Sequence, residues 1–316
     1  METIIGNDIT KAIELLRDNQ VVAIPTETVY GLAGNALEEE AVTKIYTAKN
    51  RPAFNPLILH LSGINELAKY AELDEISKKL ADAFMPGPLT LLLPKKSIVP
   101  DITTAGSDKV ALRVPNHPLT IQLLKNLSFP LAAPSANPSG YISPTTATHV
   151  YQGLQGKIPY ILDGGATSVG LESTIIEVQQ DHILLHRTGG IDELQIEAVS
   201  GMKVLIPQEE AVPETPGQLK SHYAPDTPLY RGDIDNLIAE NRGKRIAIIS
   251  LTKQYNGEHI ANYILSPNGL LAEAANQLFA TLREIDSKNY DIILAEYFPT
   301  DGIGAAINDR IGRAQF

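Results

Sequence analysis

The sequence has 316 residues, a formal net charge of −11 and no cysteine. Its length predicts one large or two smaller domains, and 43% apolar residues are enough to bury a core. The acidic balance disfavours bulk binding to nucleic acid, and the lack of cysteine excludes disulfides, thiolate catalysis and cysteine-ligated metal sites. No signal peptide and no membrane-length apolar run is present, so we expect a cytoplasmic protein.

Hydrophobic periodicity predicts an irregular alternation of helices and strands over the first two thirds of the chain. Predicted helices cover 8–19, 37–48, 76–84, 117–126 and 145–153. Predicted strands cover 21–24, 57–61, 89–93, 110–114, 130–133, 160–162, 174–178 and 183–186. Some predicted strands are adjacent, with no helix between them. This order favours an α/β fold with a mixed sheet over a regular parallel one.

A proline-rich stretch without periodicity follows at about residues 201–222 and predicts a linker. Beyond it, the pattern gives a strand at 245–250, a helix opened by Ser266 and Pro267, a strand at 290–296 and a helix from Ile303. This β-α-β-α order predicts a small open α/β domain. We therefore predict a first domain at 1–203, a linker at 204–226 and a second domain at 227–316.

The usual nucleotide and hydrolase signatures are missing from the sequence. It has no Walker A motif, no glycine-rich dinucleotide fingerprint after a strand, no nucleophile elbow and no H-E-x-x-H. Any nucleotide must therefore bind in another way.

Two polar segments next to predicted strands are candidates for a site. Residues 25–32 place Thr26, Glu27, Thr28 and Tyr30 directly after a strand, where α/β proteins carry their sites. A capped structural turn explains the same pattern. The run with Lys49 and Arg51 ends a helix, where cations are favoured anyway. The same two cations could instead form a phosphate clamp.

Later segments add further candidates of the same kind. Arg113 lies among apolar strand residues and needs a partner anion, structural or substrate. His60 lies in an apolar run, where a core histidine is the commoner explanation. The loop at 132–140 is rich in small and hydroxyl residues that can approach an anion closely. A glycine-rich stretch from 163 and Arg187 after the next strand form another weak phosphate signal.

Taken together, these segments resemble the threonylcarbamoyl-AMP synthase family. The matching runs, in order, are PTETVYGL, KNRPAFNPLILHL, PGPLTLLL, ALRVPNHP, APSANPSG, DGG, LESTI and HRTGG, over about residues 5–200. The later SHYAP and GIGAAINDRIGRA resemble the long form of the family, which adds a C-terminal domain to the YrdC-like catalytic one.

This resemblance implies a fold and an activity. The fold would be a YrdC-like twisted mixed sheet with helices around a concave, positively charged cavity, plus a small Rossmann-like α/β C-terminal domain. The activity would be synthesis of L-threonylcarbamoyladenylate from L-threonine, bicarbonate or CO2, and ATP, with release of pyrophosphate. That is the first step of threonylcarbamoyl-adenosine modification beside the anticodon of tRNA. A separate tRNA threonylcarbamoyl transferase complex would receive the product.

The resemblance also assigns roles to residues. Lys49 and Arg51 would be the catalytic cations, and Tyr223 implies that the linker folds back over the cavity. No acidic cluster predicts a metal site, so Mg2+ would be carried by the phosphates. The threonine site would consist of Thr28, His60, Arg113, Ala133 and Ser173. The ATP site would consist of Arg51, Asn55, Ser135, Ser143, Arg187 and Tyr223.

Two alternatives remain open at this point. The first is an RNA-binding module with a basic cavity, against which stand the net charge and the lack of a basic stripe with interleaved aromatic residues. We therefore expect no strong direct binding to nucleic acid and no association with membranes. The second is an O-carbamoyltransferase-type enzyme, which forms carbamoyl-adenylate from carbamoyl phosphate. Such enzymes carry clustered metal-ligand histidines, whereas the seven histidines of this chain are scattered.

Overall fold

A computed structural model describes residues 1–206 and 223–315. Their strands form an eleven-stranded sheet and a separate four-stranded sheet. The strands of the larger sheet are β1 (Ile4–Gly6), β2 (Val22–Ile24), β3 (Gly31–Asn35), β4 (Ile58–His60), β5 (Leu89–Pro94), β6 (Lys109–Arg113), β7 (Leu131–Ala132), β8 (Tyr160–Leu162), β9 (Thr174–Val178), β10 (His182–Arg187) and β11 (Lys203–Leu205). The helices around it are α1 (Ile9–Arg17), α2 (Glu39–Lys49), α3 (Leu67–Tyr70), α4 (Glu75–Phe84), α5 (Pro118–Lys125), α6 (Ala147–Leu154) and α7 (Glu193–Ser200), with a 3-10 turn at Ile64–Glu66.

The larger sheet mixes parallel and antiparallel pairs. Its strand order is β1-β8-β2-β3-β7-β4-β6-β5-β9-β10-β11. The central strands β3, β7 and β4 pair antiparallel, whereas β4 and β6 pair in parallel. The sheet confirms the predicted mixed α/β fold. Its strands are apolar and almost wholly buried in the middle, as expected for a sheet with helices on it.

Local signals in the sequence set several helix ends. Asp8 caps α1 by accepting hydrogen bonds from the backbone N–H groups of the first turn. Thr146 caps α6 in the same way, by accepting from the backbone N–H of His149. At its C-terminus, α2 stops because Asn50 adopts the left-handed conformation with φ 52°. This turn directs the chain at Arg51 back toward the sheet.

The sequence pattern did not predict strand β3, because residues up to Leu32 were assigned to a polar loop. Its run Gly-Leu-Ala-Gly-Asn has no alternation and little strand propensity. Pairing with β2 on one side and β7 on the other, with burial of every residue, overrides that propensity. Gly34 lets α2 pack closely there, because a Cβ would lie 3.2 Å from the side chain of Ile45. Strand β1, helix α3 and helix α7 were also not predicted.

At the C-terminal end of the larger sheet, β11 pairs in parallel with β10 through Leu205. Ordered pairing therefore continues two residues past position 203, where we placed the end of the first domain. Residues 207–222 of the predicted linker lie outside the described residues. The proposed domain boundaries stay predictions.

The smaller unit is an open, wholly parallel α/β sheet of order β12-β15-β13-β14. Its elements are β12 (Leu229–Arg231), α8 (Ile234–Glu240), β13 (Ile246–Ser250), β14 (Ile260–Ile264), α9 (Leu271–Asp286), β15 (Ile292–Ala295) and α10 (Ile303–Arg313). The predicted β-α-β-α order was incomplete, because β12 and α8 are short and the edge strand β14 is half-buried throughout. The helix opened by Ser266 begins later, at Leu271, since Ser266 instead accepts from the backbone N–H of Leu270.

The two units share one hydrophobic core. Val29, Ile142 and Leu171 of the larger unit pack in the same buried cluster as Leu278 and Phe279 of α9. The contact is so close that Gly170 could not carry a side chain, because a Cβ would lie 2.5 Å from the Cα of Asn276. The smaller unit therefore packs directly on the loops at one end of the larger sheet.

Arg283 of α9 reinforces this packing with polar contacts. Its guanidinium donates to the carbonyls of Ile142, Ser143 and His149, and it lies over the ring of Tyr141 at 4.9 Å. Burial lowers the pKa of Arg283 to about 10, so the group stays charged at neutral pH. The loop at 141–143 is thus held from the smaller unit.

We predict that Arg283→Met lowers the free energy of unfolding by about 2–4 kcal/mol, because three buried carbonyls lose a charged donor. Urea-induced unfolding at pH 7 measures the change. The control is Lys288→Met, which removes an exposed ion pair with Glu284 and should leave the unfolding midpoint unchanged. Equal effects of the two substitutions would contradict the importance of the buried contacts.

Candidate active site

One cavity opens at the strand ends of the larger sheet and collects most of the predicted site residues. All but three of them line it: Thr28, Arg51, His60, Arg113, Ala133, Ser135, Ser173, Arg187 and Tyr223. Within residues 1–206 and 223–315, the predicted residues absent from the lining are Lys49, Asn55 and Ser143. The structure therefore brings together segments that are far apart in the chain.

Sheet pairing explains how these side chains converge. His60 and Arg113 are register partners at the ends of the parallel strands β4 and β6. Gly31, at the start of β3, forms an isolated antiparallel bridge with Ser135. This bridge fixes the serine-rich loop against the segment that carries Thr28. Backbone pairing therefore sets the positions of His60, Arg113 and Ser135 in the cavity wall.

Arg113 lies in the part of the cavity predicted to bind threonine and is paired with Glu27. Its Nη2 lies 2.8 Å from Oε1 of Glu27, and both side chains are buried. Its Nε donates to the carbonyl of Gly87 at 3.3 Å. In the described part of the chain, neither carboxylate oxygen of Glu27 accepts an aligned hydrogen bond. The pair is thus held by charge attraction, and it balances a buried guanidinium without occupying all its donors.

His60 beside it is neutral. Burial, together with the charge of Arg113, lowers the pKa of His60 to about 3. Its Nδ1 lies 3.2 Å from the carbonyl of Ile58. The hydroxyls of Thr26 and Thr28 lie 2.8 Å apart, and Thr26 also donates to the carbonyl of Val29. These neutral groups offer hydrogen bonds to an amino acid without adding charge.

Two further arginines line the part of the cavity predicted to bind ATP. Arg51 donates to the side chain and backbone carbonyls of Asn55 and to the carbonyl of Pro56. Burial lowers the pKa of Arg51 to about 10, and it remains charged at neutral pH. Arg187 donates through Nε to the carbonyl of Ser173 at 2.9 Å and through Nη2 to its hydroxyl at 3.0 Å. Two fixed, buried cations suit a phosphate chain.

The three predicted residues outside the lining support it from behind. Lys49 donates to the backbone carbonyls of Ser135 and Asn137, so it holds the serine-rich loop. Burial, and then the charge of Arg51, hold the pKa of Lys49 well below its usual range. Asn55 fixes Arg51, and Ser143 donates to a buried carboxylate. A direct catalytic role for Lys49 stays a prediction.

Residues without a role in our sequence prediction also line the cavity. They are Thr26, Val29, Gly31, Ile58, Pro134 and Glu172. Glu172 accepts from Ser143 and from Arg310 of α10, which is fully buried. The sequence held a signal for Arg310, since it lies on a helix face with Ile307 and Ile311, where an arginine requires a partner.

Comparison with known proteins identifies the family. Residues 14–189 match the family model described as Telomere recombination, which covers Sua5, YciO and YrdC proteins, and residues 191–315 match the threonylcarbamoyl-AMP synthase C-terminal domain. The chain is 43% identical to the threonylcarbamoyl-AMP synthase of Bacillus subtilis, over 97% of this chain and 92% of that protein. It belongs to the threonylcarbamoyl-AMP synthase family. The threonylcarbamoyl-AMP synthase of Pyrococcus abyssi is 40% identical, over 96% of this chain and 92% of that protein.

A solved structure agrees with this assignment. The crystal structure of P. abyssi Sua5 complexed with L-threonine superposes with a TM-score of 0.90 at 38% identity, over 99% of this chain and 97% of that chain. Both the family resemblance and the predicted fold are confirmed. Within the two described ranges no helix has the length and apolar character needed to cross a membrane. The described residues also contain no group of three or more side chains arranged to hold a metal ion.

The neutral state of His60 predicts a pH dependence of stability. Its folded pKa of about 3 lies below the unfolded value of about 6.5, so the unfolded chain binds the proton more readily. Stability should therefore fall as pH drops below about 6.5. From pH 7 to pH 5 the contribution is about 2 kcal/mol. Urea unfolding at both pH values should show a smaller loss for His60→Gln than for the wild type. The same loss in both proteins would contradict this origin.

Proposed function

We propose that this protein condenses L-threonine, bicarbonate or CO2, and ATP into L-threonylcarbamoyladenylate and pyrophosphate. The observation that carries the proposal is one cavity that brings together three buried arginines, Arg51, Arg113 and Arg187, which we divide between the phosphates of ATP and the carboxylate of threonine. An enzyme of this type must hold a carboxylate and a triphosphate apart and bring their reacting ends together. The full-length relatives bear the name of this activity, and the solved relative binds L-threonine.

Threonine would bind with its carboxylate on Arg113, whose charge Glu27 balances. Its hydroxyl needs partners of its own, because an apolar pocket alone discriminates poorly between a methyl and a hydroxyl group. The hydroxyls of Thr28 and Ser173 supply such partners in the wall of the cavity. His60, neutral at physiological pH, would add a hydrogen bond without competing for the carboxylate.

ATP would bind along the other wall, with its phosphates on Arg51 and Arg187. Ser135 and Tyr223 line the same cavity, where Asn55 is hydrogen-bonded to Arg51 and Ser143 to Glu172. Mg2+ would be carried by the phosphates themselves, which are the ligands this ion prefers. Lys49 would keep the serine-rich loop in place beneath the nucleotide.

The reaction then needs positioning more than covalent chemistry. The neutral amine of threonine attacks the carbon of CO2: the C–N bond forms, one C=O π bond opens onto oxygen, and the nitrogen loses a proton, giving a carbamate. With bicarbonate the same carbamate forms with loss of water. A carbamate oxygen attacks the α-phosphorus of ATP, and the bond to pyrophosphate breaks. The arginines stabilise the charge on the phosphate oxygens, and the buried walls keep water from the unstable carbamate. We expect the product to pass to a separate tRNA threonylcarbamoyl transferase complex in the cytoplasm.

The decisive assay combines the purified protein with ATP, Mg2+, bicarbonate and labelled threonine. We expect pyrophosphate release that depends on threonine, together with a labelled threonylcarbamoyl-AMP product. Folded protein that releases no pyrophosphate in response to threonine would contradict the proposal. Turnover with carbamoyl phosphate instead of bicarbonate and threonine would favour an O-carbamoyltransferase-type enzyme. Salt-dependent RNA binding without turnover would favour an RNA-binding module.

Replacing single arginines should separate the two parts of the cavity. Arg113→Ala should lower kcat/KM for threonine by roughly 100-fold, because a buried carboxylate loses its cation, while the Kd for ATP changes little. Arg187→Ala should have the opposite effect and weaken ATP binding far more than threonine binding. Steady-state kinetics and calorimetry measure both effects. Equal losses for both substrates in either variant would contradict the division of the cavity.

A further inference from the structure

The most deeply buried arginine of the protein lies outside the larger sheet. Arg310 belongs to α10 of the smaller unit and has no exposed surface. It shares a helix face with Ala306, Ile307 and Ile311, which pack in the core common to both units. A charged side chain on such a face must find acceptors, because an unpaired buried charge is strongly destabilising.

Arg310 finds these acceptors mostly in the other unit. Its Nε donates to Oε2 of Glu172 at 2.8 Å, and its Nη2 donates to the carbonyl of Thr188 at 2.8 Å. Its Nη1 donates to Asp309 on its own helix at 2.7 Å. The ring of Tyr223 lies 5.3 Å from the guanidinium carbon. Although burial disfavours the charge, Tyr223, Glu172 and Asp309 raise the pKa of Arg310, so it is always a cation.

The two residues it holds in the larger unit adjoin Arg187, which is predicted to contact ATP, and Ser173, which is predicted to contact threonine. Glu172 directly precedes Ser173, and Thr188 directly follows Arg187. Arg187 in turn makes two hydrogen bonds to Ser173. One guanidinium from the smaller unit therefore holds the side chain of Glu172, next to Ser173, and the carbonyl of Thr188, next to Arg187.

Arg310 also controls the charge of that wall. Glu172 lines the cavity, where an unbalanced carboxylate would repel the phosphates of ATP. With one oxygen on Arg310 and the other accepting from Ser143, the carboxylate is neutralised and cannot rotate. Ser143 is therefore oriented through Glu172. The contacts of Arg310 thus reach Ser143, Arg187 and Tyr223, all of which are predicted to contact ATP.

We propose that Arg310 is a positioning residue for ATP, through which the smaller unit completes the nucleotide side of the cavity. This inference rests on the proposed function of that cavity. Arg310 makes its hydrogen bonds to Glu172, Thr188 and Asp309, whereas Arg113 is paired with Glu27. Of the residues predicted to bind threonine, only Ser173 is next to a residue that Arg310 holds, so Arg310 should matter less for threonine binding alone than for ATP binding.

The experiment compares four full-length proteins. Wild type is set beside Arg310→Lys, which keeps the charge but loses the planar fork. The double variant Glu172→Gln with Arg310→Met removes both charges, so no unpaired ion remains buried if the lysine variant fails to fold. Lys253→Met is the control, since Lys253 is a cation of the smaller unit in an exposed ion pair with Asp235. Calorimetry gives the Kd for ATP and for threonine separately, and pyrophosphate release gives kcat and KM.

We expect Arg310→Lys and the double variant to lose roughly 10- to 100-fold in kcat/KM for ATP, because the phosphate contacts are displaced. Their Kd for threonine, measured without ATP, should stay within about threefold of wild type, and Lys253→Met should match wild type throughout. Wild-type values for ATP in either folded variant, or equal losses of threonine and ATP binding, would overturn the role of Arg310. Wild type without threonine-dependent pyrophosphate release would instead contradict the proposed function, and the Kd for ATP would still test Arg310.

Discussion

Arginine side chains buried beside one another must each receive acceptors from the chain, because like charges in a poorly solvated cavity repel. The structure meets this requirement four times. Arg51 is held by carbonyls of the Asn55 turn, Arg113 by the charge of Glu27 and Arg187 by Ser173. Arg310 is held by Glu172. The carboxylates of Glu27 and Glu172 both lie in loops at strand ends. The sheet therefore places these anions next to the buried arginines.

Because of this arrangement, we expect the chemistry to proceed without a covalent intermediate on the enzyme. The cations are fixed before substrates arrive, and they need no rearrangement when charge moves onto the phosphates. The neutral imidazole of His60 and the paired threonine hydroxyls provide polarity beside Arg113 without neutralising it. A buried lysine under the serine-rich loop adds rigidity in the one wall that contains little regular structure.

Much of the fold could be predicted from the sequence, because long apolar runs and capped amphipathic helices are local signals. Strands 160–162 and 174–178 were placed at their observed bounds, and α9 was recognised from its wide apolar stripe. Strand β3 could not be predicted, because its glycines are stabilised only by neighbours on both sides. The short elements β12 and α8 have too few residues to show a period.

The candidate site, like the fold, could be predicted from the sequence only as far as local patterns reach. The family motifs drew attention to individual residues, and pairing across the sheet brought most of them into one cavity. The motifs did not indicate which of these residues line the cavity. They gave no sign that Lys49, Asn55 and Ser143 lie behind its surface. The link from Glu172 to Arg310 spans 138 positions in the chain and depends on how the two units pack, which no local pattern encodes.

The hydrophobic core shared by both units has a consequence for the solution behaviour of any shortened chain. Val29, Ile142 and Leu171 are buried in one cluster with residues of the smaller unit, and Gly170 touches the backbone of α9. A protein ending after the larger sheet would present these side chains to water as one apolar patch, beside carbonyls that had lost Arg283. Such a fragment would tend to self-associate. A free-standing version of the larger unit would need polar residues at these three positions.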